Sequence, residues 1–599
     1  MEARRSFDIL SLQLEQFPKP DALAAKHDGQ WVPTSTQQLQ DQANLVSLGL
    51  LKLGLQKGDK VAIISLNRPE WMLADFGIAQ IGATSVPMYP SITVEDYKYI
   101  FTDAGVKAIF VSDAKLHAKV QEATQSLPIP PDNVFTFEQV AGARHFDELL
   151  ALGRQGDAAE LEPLKAAVQP DDLLTLIYTS GTTGQPKGVM LSHENLLSNC
   201  HNSQPAVPVT YADKALSFLP LCHIFERMVT YLYMLNGVSI YYAESMETIP
   251  DNLREVKPQI FTTVPRLLEK IYDKIVAKGH EQTGIKHKLF FWALELGLKF
   301  DTQKDHGFVY NTQLALANKL IFNKWREALG GNLRCIVSGG GALQPRLARV
   351  FWAAGIHVME GYGLTETSPV IAVGGYEPEN NMIGAVGPLI DNMQVKIAAD
   401  GEILTKSASV MKGYYNQPEL TAKEFDEEGW FHTGDIGELV NGKFLKITDR
   451  KKEMFKTSGG KYIAPQVIEG KLKEDPLIEQ AMVVGADQKF ASALVIPSFS
   501  DLKGWCKRNG VPEASNEELV KNPKIVDLYE GLVKKYNQSF AQWEQVKKIT
   551  LLPELWTVES GEMTPTMKVK RKVITEKNKD LITGMYERAD KEPHERTAH

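Results

Sequence analysis

Apolar residues in this chain fall into short runs separated by stretches of helical period, and that alternation sets the first expectation about the fold. Val61-Ala-Ile-Ile-Ser65 and Ala108-Ile-Phe-Val-Ser112 read as strands. Between them Pro69 sits where a helix can start, since its fixed φ and missing N–H suit a first turn. Met72, Phe76 and Ala79 then fall on one helical face. Further apolar runs occupy 173–178, 238–244, 259–264 and 335–338. Strands alternating with helices predict α/β layers with largely parallel sheet. From 266 to 330 the period is mostly helical, and Phe290, Phe291, Trp292 and Leu296 read as helix core.

The pattern changes after about residue 450. A charged run, Asp449-Arg-Lys-Lys-Glu453, precedes Ser458-Gly-Gly460 and two strand-like runs, Ala481–Val484 and Ala493–Ile496. The expected organisation is a large α/β domain of layered sheets and helices over 1–450, a small mobile α+β domain over 451–588 joined by a charged hinge, and a polar, disordered tail over 589–599. At 599 residues the chain is too long for one core, which agrees with two domains.

Composition narrows the function classes. The net charge of −8 argues against a nucleic-acid partner, which calls for a basic footprint. Cys200, Cys222, Cys335 and Cys506 are far apart and form no metal or disulfide pattern, which fits a reducing compartment. No signal-peptide core and no run of ~18 apolar residues is evident, so a cytoplasmic location is expected, with peripheral membrane contact left open.

The chemistry concentrates in five segments. Tyr178-Thr-Ser-Gly-Thr-Thr-Gly-Gln-Pro-Lys-Gly-Val189 follows a buried strand and packs hydroxyls, glycines and one lysine together. Glycine lets backbone N–H groups approach an anion, hydroxyls add donors, and Lys187 adds charge, a construction suited to a polyphosphate. It is not a Walker A loop, because no hydroxyl residue follows the lysine. The alternative is an ordinary surface loop. Glu360-Gly-Tyr-Gly-Leu-Thr-Glu-Thr367 lacks the third glycine of a dinucleotide fingerprint. Gly361 and Gly363 would hold a turn, Tyr362 would offer a flat face to a base, and Glu366 a magnesium ligand; a strand-to-helix turn with Thr365 as N-cap is the plainer reading. Ser338-Gly-Gly-Gly-Ala342 ends another strand, as a turn or as bare backbone for a ligand. Trp430-Phe-His-Thr-Gly-Asp435 sets an Asp after a tight turn, for two ribose hydroxyls or as an Asx-turn. Met563-Thr-Pro-Thr-Met-Lys-Val-Lys-Arg-Lys572 is basic, as a solvated face or as the carrier of one active-site lysine.

Taken in this order, the segments resemble the adenylate-forming (AMP-binding) superfamily over nearly the whole chain. Within it, Leu219-Pro-Leu-Cys-His-Ile-Phe-Glu-Arg227, Val264-Pro-Arg-Leu-Leu-Glu-Lys270, Lys456-Thr-Ser-Gly-Gly-Lys-Tyr-Ile-Ala-Pro465 and Thr564-Pro-Thr-Met-Lys568 look like the long-chain fatty acyl-CoA synthetases. Met567 stands where the wider superfamily has glycine before its catalytic lysine. The resemblance implies the adenylate-forming fold, with ATP, Mg²⁺, a fatty acid and coenzyme A as cofactors and partners. Thr179, Ser180, Gly181, Thr182, Thr183, Gly184 and Lys187 would hold the β- and γ-phosphates. Gly340, Gly341 and Tyr362 would line the adenine pocket, with Gly363 also among the cofactor-binding residues. Thr365 would contact the α-phosphate, Glu366 would hold Mg²⁺, Asp435 and Arg450 would bind ribose, and His223 would lie near the acyl carboxylate, unless it is a satisfied core histidine. Lys452 would be the hinge and Lys568 the adenylation lysine. Lys456, Gly459 and Gly460 would help form the pantetheine tunnel.

The implied reaction makes acyl-AMP and pyrophosphate, then acyl-CoA and AMP. A fatty acyl-AMP ligase that delivers to a carrier protein is the alternative enzyme; a non-catalytic nucleotide or lipid sensor is the alternative from another class. The resemblance does not fix the oligomeric state, and a homodimer is among the states it allows.

Overall fold

The computed structural model describes residues 3–179, 185–558, 560–564 and 568–591. The chain divides into two compact units. The larger takes Met1–Lys396, Leu404–Thr433 and Leu439–Lys446; the second takes Ile397–Ile403, Gly434–Glu438 and Ile447–His599.

The larger unit is built on two eight-stranded sheets. One runs in the order Gly413–Tyr414, Lys187–Ser192, Leu173–Thr179, Thr84–Pro87, Lys60–Ile64, Val106–Val111, Val134–Thr136, Arg144–His145. The other runs Val370–Val373, His357–Gly363, Cys335–Ser338, Ile260–Thr263, Lys214–Ser217, Ser239–Tyr242, Leu23–His27, Gln30–Thr34. The first is antiparallel at its Gly413–Tyr414 end and parallel from Leu173–Thr179 through to Arg144–His145; the second is parallel in the middle and antiparallel at both edges. Covered on both faces, parallel strands become continuous apolar runs. Val61, Ala62, Ile63 and Ile64 are accordingly all fully buried.

Five helices frame the candidate site and its surroundings: α1 (Pro69–Gln80), α2 (Ile224–Leu235), α3 (Pro265–Glu281), α4 (Gly284–Leu298) and α5 (Gly307–Ala317). α5 runs on through a π-turn, Asn318–Phe322, into a last helical stretch, Asn323–Ala328. α1 starts at Pro69 as the sequence predicts, but it does not show a single buried face. All its residues except Glu70 are buried, because it is enclosed on every side. α2 is buried along its whole length. In the helical segment Phe290 and Leu296 are core, while Phe291 and Trp292 are partly buried against the same cluster.

Two enclosed helices leave no water for a charge, and both carry one. Asp75 on α1 and Arg227 on α2 have side chains without solvent exposure and form a two-pronged ion pair, with Arg227 Nη2 and Nε donating at 2.6 and 3.1 Å. Arg227 Nη2 also donates to Ser85 Oγ at 3.1 Å, and the Tyr231 hydroxyl donates to Asp75. Burial makes such a pair roughly neutral overall but severe to break, since one partner alone is an uncompensated charge.

The second unit has a three-stranded sheet, Ile478–Val484, Ala491–Pro497 and Val546–Leu551. The first pairing is antiparallel and the second parallel. Helices Pro465–Leu472, Phe499–Arg508 and Pro523–Asn537 cover it through Ile468, Leu502 and Tyr529. The helix Lys579–Lys591 extends into the stretch expected to be an unstructured tail, and 592–599 lie outside the described residues.

The ion pair yields a stability prediction. Asp75→Asn or Arg227→Met is expected to cost about 3–5 kcal/mol of unfolding free energy. Urea denaturation followed by fluorescence measures it, and a loss below about 1 kcal/mol would show that the pair does not lock α1 to α2.

Candidate active site

The glycine-rich loop joins two antiparallel strands, Leu173–Thr179 and Lys187–Ser192, with Thr179 opposite Lys187. Ser180, Gly181, Thr182, Thr183 and Gly184 lie outside the described residues. The hairpin base is fixed by Tyr178, whose hydroxyl donates to Asp103 Oδ2 at 2.5 Å. A Cβ on Gly188 would stand 3.0 Å from the Tyr178 ring, so glycine there lets the ring lie across the strand.

A third strand, Gly413–Tyr414, pairs antiparallel with Met190 and Val189. It brings Tyr414 beside Lys187. The Lys187 ammonium donates to the Tyr414 hydroxyl at 2.9 Å and sits 4.1 Å from the ring centroid. Tyr414 in turn donates to Glu366 Oε1 at 2.8 Å. Burial first, and the Glu366 carboxylate second, hold the tyrosine hydroxyl far above its ordinary range, so it remains a donor. Gly413, at φ +135°, is required because a Cβ would meet Thr421 Cγ2 at 2.6 Å. Sequence reasoning misses Tyr414. Lys412-Gly-Tyr-Tyr-Asn-Gln-Pro418 carries no chemistry until the sheet sets it against Lys187.

Glu366 sits on a single 3₁₀ turn, Thr365–Thr367, after the strand His357–Gly363. The expected N-cap at Thr365 is not found. Leu364 occupies the cap position, and its N–H donates to Thr367 Oγ1 at 3.0 Å. A Cβ on Gly363 would fall 1.8 Å from the Pro369 carbonyl oxygen, which is why the chain can double back there. Tyr362 is half-buried on the same strand. Met411 N–H donates to the Glu366 carbonyl at 2.8 Å and anchors the turn to the segment bearing Tyr414. Among the described residues Glu366 Oε2 accepts no hydrogen bond. One such carboxylate, linked through Tyr414 to Lys187, would fit Mg²⁺, which takes one or two carboxylates and phosphate oxygens.

Gly340 and Gly341 are exposed in the turn after Cys335–Ser338, and Gly340 has φ +78°. Ideal Cβ atoms on them would approach only Val264 and Pro265, at 3.8 Å. Gly339 is closer packed, with a Cβ position 3.1 Å from the Phe225 ring. Phe225 is two residues past His223, so this turn lies against the start of α2. His223 is the N-cap of α2, and its Nδ1 accepts from Phe225 N–H at 3.2 Å. Glu360, in register with Ser338, is pushed up to about 8 by desolvation, which the Leu343 N–H opposes.

In the second unit Asp435 and Arg450 meet at 3.1 Å, Arg450 Nε donating to Asp435 Oδ1. Asp435 does not follow a tight turn. It lies inside the strand Phe431–Val440. Gly434 N–H donates to Glu402 Oε1 at 3.0 Å, and Lys451 Nζ donates to Glu402 Oε2 at 2.7 Å. Lys452 is exposed on the turn after Arg450. Lys456 and Tyr462 pair on two short strands, with the ammonium 4.6 Å from the ring centroid, and Gly459 and Gly460 form the exposed tip between them. Lys568 is exposed. Its N–H donates to Thr564 Oγ1 at 3.0 Å, and its carbonyl accepts from Thr564 N–H at 2.8 Å. Arg571, three residues on, binds Glu453 at 2.9 Å and Glu469 at 2.6 Å, tying this hairpin to the turn that carries Lys452.

Residues 11–415 match the AMP-binding enzyme family, and 453–590 match the AMP-binding enzyme C-terminal domain. Among similar curated proteins, the long-chain-fatty-acid–CoA ligase FadD15 of Mycobacterium bovis is 35% identical over 567 residues, covering 93% of this chain and 93% of that protein. Human long-chain-fatty-acid–CoA ligase 1 is 32% identical, covering 89% and 80%. Of solved structures, the adenylation domain of a carboxylate reductase from Mycobacterium chelonae superposes with a TM-score of 0.78, covering 97% of this chain and 91% of that one. At 20% identity that likeness concerns the fold alone.

One buried acid yields a pH prediction. Glu226, a turn after His223, accepts from Ser217 Oγ at 2.6 Å and from the Thr262 hydroxyl. Burial outweighs both donors and lifts its carboxyl to about 7 from an ordinary 4.5. A carboxyl raised on folding favours the folded state at low pH. Its contribution is complete below the unfolded value and is lost as pH rises through about 7. The ceiling is of order 3 kcal/mol. Denaturant midpoints of wild type should therefore fall relative to Glu226→Gln between pH 5 and pH 8, whereas parallel profiles would exclude titration of this acid in that window.

Proposed function

The chain belongs to the AMP-binding enzyme family, and on that premise we propose that it activates a long-chain fatty acid with ATP and passes the acyl group to coenzyme A. Adenylate-forming ligase chemistry comes with the family. The acid and the thiol acceptor are our reading, supported by relatives named as long-chain-fatty-acid–CoA ligases over nearly the full chain. The observation that carries it is the relay of Lys187, Tyr414 and Glu366 at the base of the glycine-rich loop.

A carboxylate is a poor electrophile, and its attack on a phosphate brings negative charges together. In the first step a carboxylate oxygen attacks the α-phosphorus, the bond to the bridging oxygen breaks, and pyrophosphate leaves. Lys187 neutralises the leaving group. Glu366 would hold Mg²⁺, which supplies further charge neutralisation there. Tyr414 fixes the spacing between the lysine and the carboxylate. His223 orients the acyl carboxylate, and Gly340, Gly341, Tyr362, Gly363 and Thr365 receive the nucleotide, with Asp435 and Arg450 on its ribose. Lys568 supplies the cation on the α-phosphate. A charge pair at ~4 Å and effective ε ~20 contributes about 4 kcal/mol, or roughly three orders of magnitude in rate. In the second step the coenzyme A thiol, its proton lost, attacks the acyl carbon and AMP leaves. Lys452 is the pivot between steps, and Lys456, Gly459 and Gly460 serve the pantetheine arm.

The test separates the half-reactions. Lys568→Ala should lose roughly 10²–10³-fold in fatty-acid-dependent ATP–pyrophosphate exchange. The same variant should still convert supplied acyl-AMP to acyl-CoA. Equal loss of both, or acyl transfer that ignores coenzyme A, would overturn the assignment.

A further inference from the structure

The helices after the strand Ile260–Thr263 are finished on one side and bare on the other. Phe290, Leu294, Phe322 and Trp325 belong to one core with Leu347, Val350 and Phe351 of the helix Pro345–Ala353. On the outer side of α5 and its continuation, Phe308 is 85% exposed, Val309 70%, Leu316 48% and Leu320 40%. Phe308, Thr312, Leu316 and Leu320 recur every fourth residue, the spacing of one helical face. Single exposed apolar residues are ordinary on a protein surface, but a row of them along one helix marks a contact face.

The charge around the row is mixed, with bases in excess. Lys299, Lys304, Lys319 and Lys324 are exposed in this stretch, as are the acids Glu295, Asp305 and Glu327. Among the described residues Lys299, Lys319 and Lys324 make no ion pair. From Pro265 to Ala328 there are eleven Lys and Arg against seven Asp and Glu, in a chain whose net charge is −8. The segment thus opposes the sign of the whole molecule. No helix among the described residues is long and apolar enough to cross a membrane, so a lipid contact here would be made at the surface.

We propose that this face docks on an anionic lipid surface, with Phe308, Leu316 and Leu320 entering the boundary between headgroups and acyl chains and the lysines meeting lipid phosphates. A helix with an apolar row and a basic rim lies in the interface in this way, held by apolar area and by attraction to anionic lipid. A second copy of the chain fits less well, because a two-fold contact would set the lysine-bearing rim against itself. α3 starts at Pro265, beneath Gly340 and Gly341, so one helix separates the lipid-facing module from the nucleotide side of the candidate site. That docking would place the centre beside a store of water-insoluble acid rests on the proposed function; the docking itself does not.

Co-sedimentation with large unilamellar vesicles tests it without any turnover. Wild type should bind vesicles of phosphatidylcholine with a minority of phosphatidylglycerol, and bind pure phosphatidylcholine far less. The triple variant Phe308→Ser, Leu316→Ser, Leu320→Ser should partition about a hundredfold more weakly. Lys319→Glu with Lys324→Glu should lose roughly thirtyfold or more and flatten the salt dependence. Unchanged melting temperatures establish that both variants remain folded. Wild type that ignores anionic vesicles, variants that bind as well as wild type, or a wild-type dimer that the triple variant dissolves while vesicle binding persists would each overturn the proposal.

Discussion

The Asp75–Arg227 pair is the constraint on which the arrangement of the large unit depends. It joins two helices that have no solvent face, so neither charge has an alternative partner in water. Arg227 also reaches Ser85, whose carbonyl accepts from Thr175 Oγ1 at 2.9 Å on the strand that leads into the glycine-rich loop. In the other direction α2 begins at His223 and presents Phe225 to the glycine turn after Cys335–Ser338. One buried pair therefore registers the strand that leads into the glycine-rich sequence against the helix start bearing His223. Any slip between α1 and α2 would strand a charge in the core, which gives the pair more weight in specificity than in net stability.

A second connection acts at the surface of that frame. Lys187, Tyr414 and Glu366 come from three distant parts of the sequence and form one hydrogen-bonded line. The tyrosine is a spacer with a locked proton. Burial and the neighbouring carboxylate keep its hydroxyl neutral, so it can accept from the lysine and donate to the glutamate together. In the proposed function this line would set a cation for the polyphosphate and a carboxylate for the metal at a fixed separation. The proposed chemistry then happens one phosphorus away. The second unit has its own fixed line. Arg571 holds the Lys568 hairpin to Glu453 and Glu469, next to the turn with Lys452.

The parallel strands are legible in the sequence because burial on both faces removes polar residues from them. Cys335–Ser338 and Leu173–Thr179 match their apolar runs almost residue for residue. α1 is legible as a helix but reads falsely as one-faced, since enclosure on all sides erases amphipathic contrast. The strand Val546–Leu551 escapes the pattern, because its lysines interrupt the apolar run. Lys187 and Glu366 in the large unit and Asp435 in the second stand out in the sequence as candidate chemistry, Arg450 enters as a candidate only through the family resemblance, and the fold pairs it with Asp435. Tyr414 and Arg571 do not stand out, because each acts through a partner brought close only by tertiary pairing. Asp435 is expected after a turn, and the strand containing it shows that a Thr-Gly-Asp sequence alone does not fix backbone shape.

The central claim is that this frame activates a long hydrocarbon carboxylate for transfer to a thiol. Steady-state AMP release, measured with MgATP against a series of acids from acetate to eicosanoate, with and without coenzyme A, addresses it most directly. The account predicts sustained AMP release only with coenzyme A present, and kcat/KM rising steeply toward the long-chain acids. Preference for short acids, or equal turnover without coenzyme A, would contradict it.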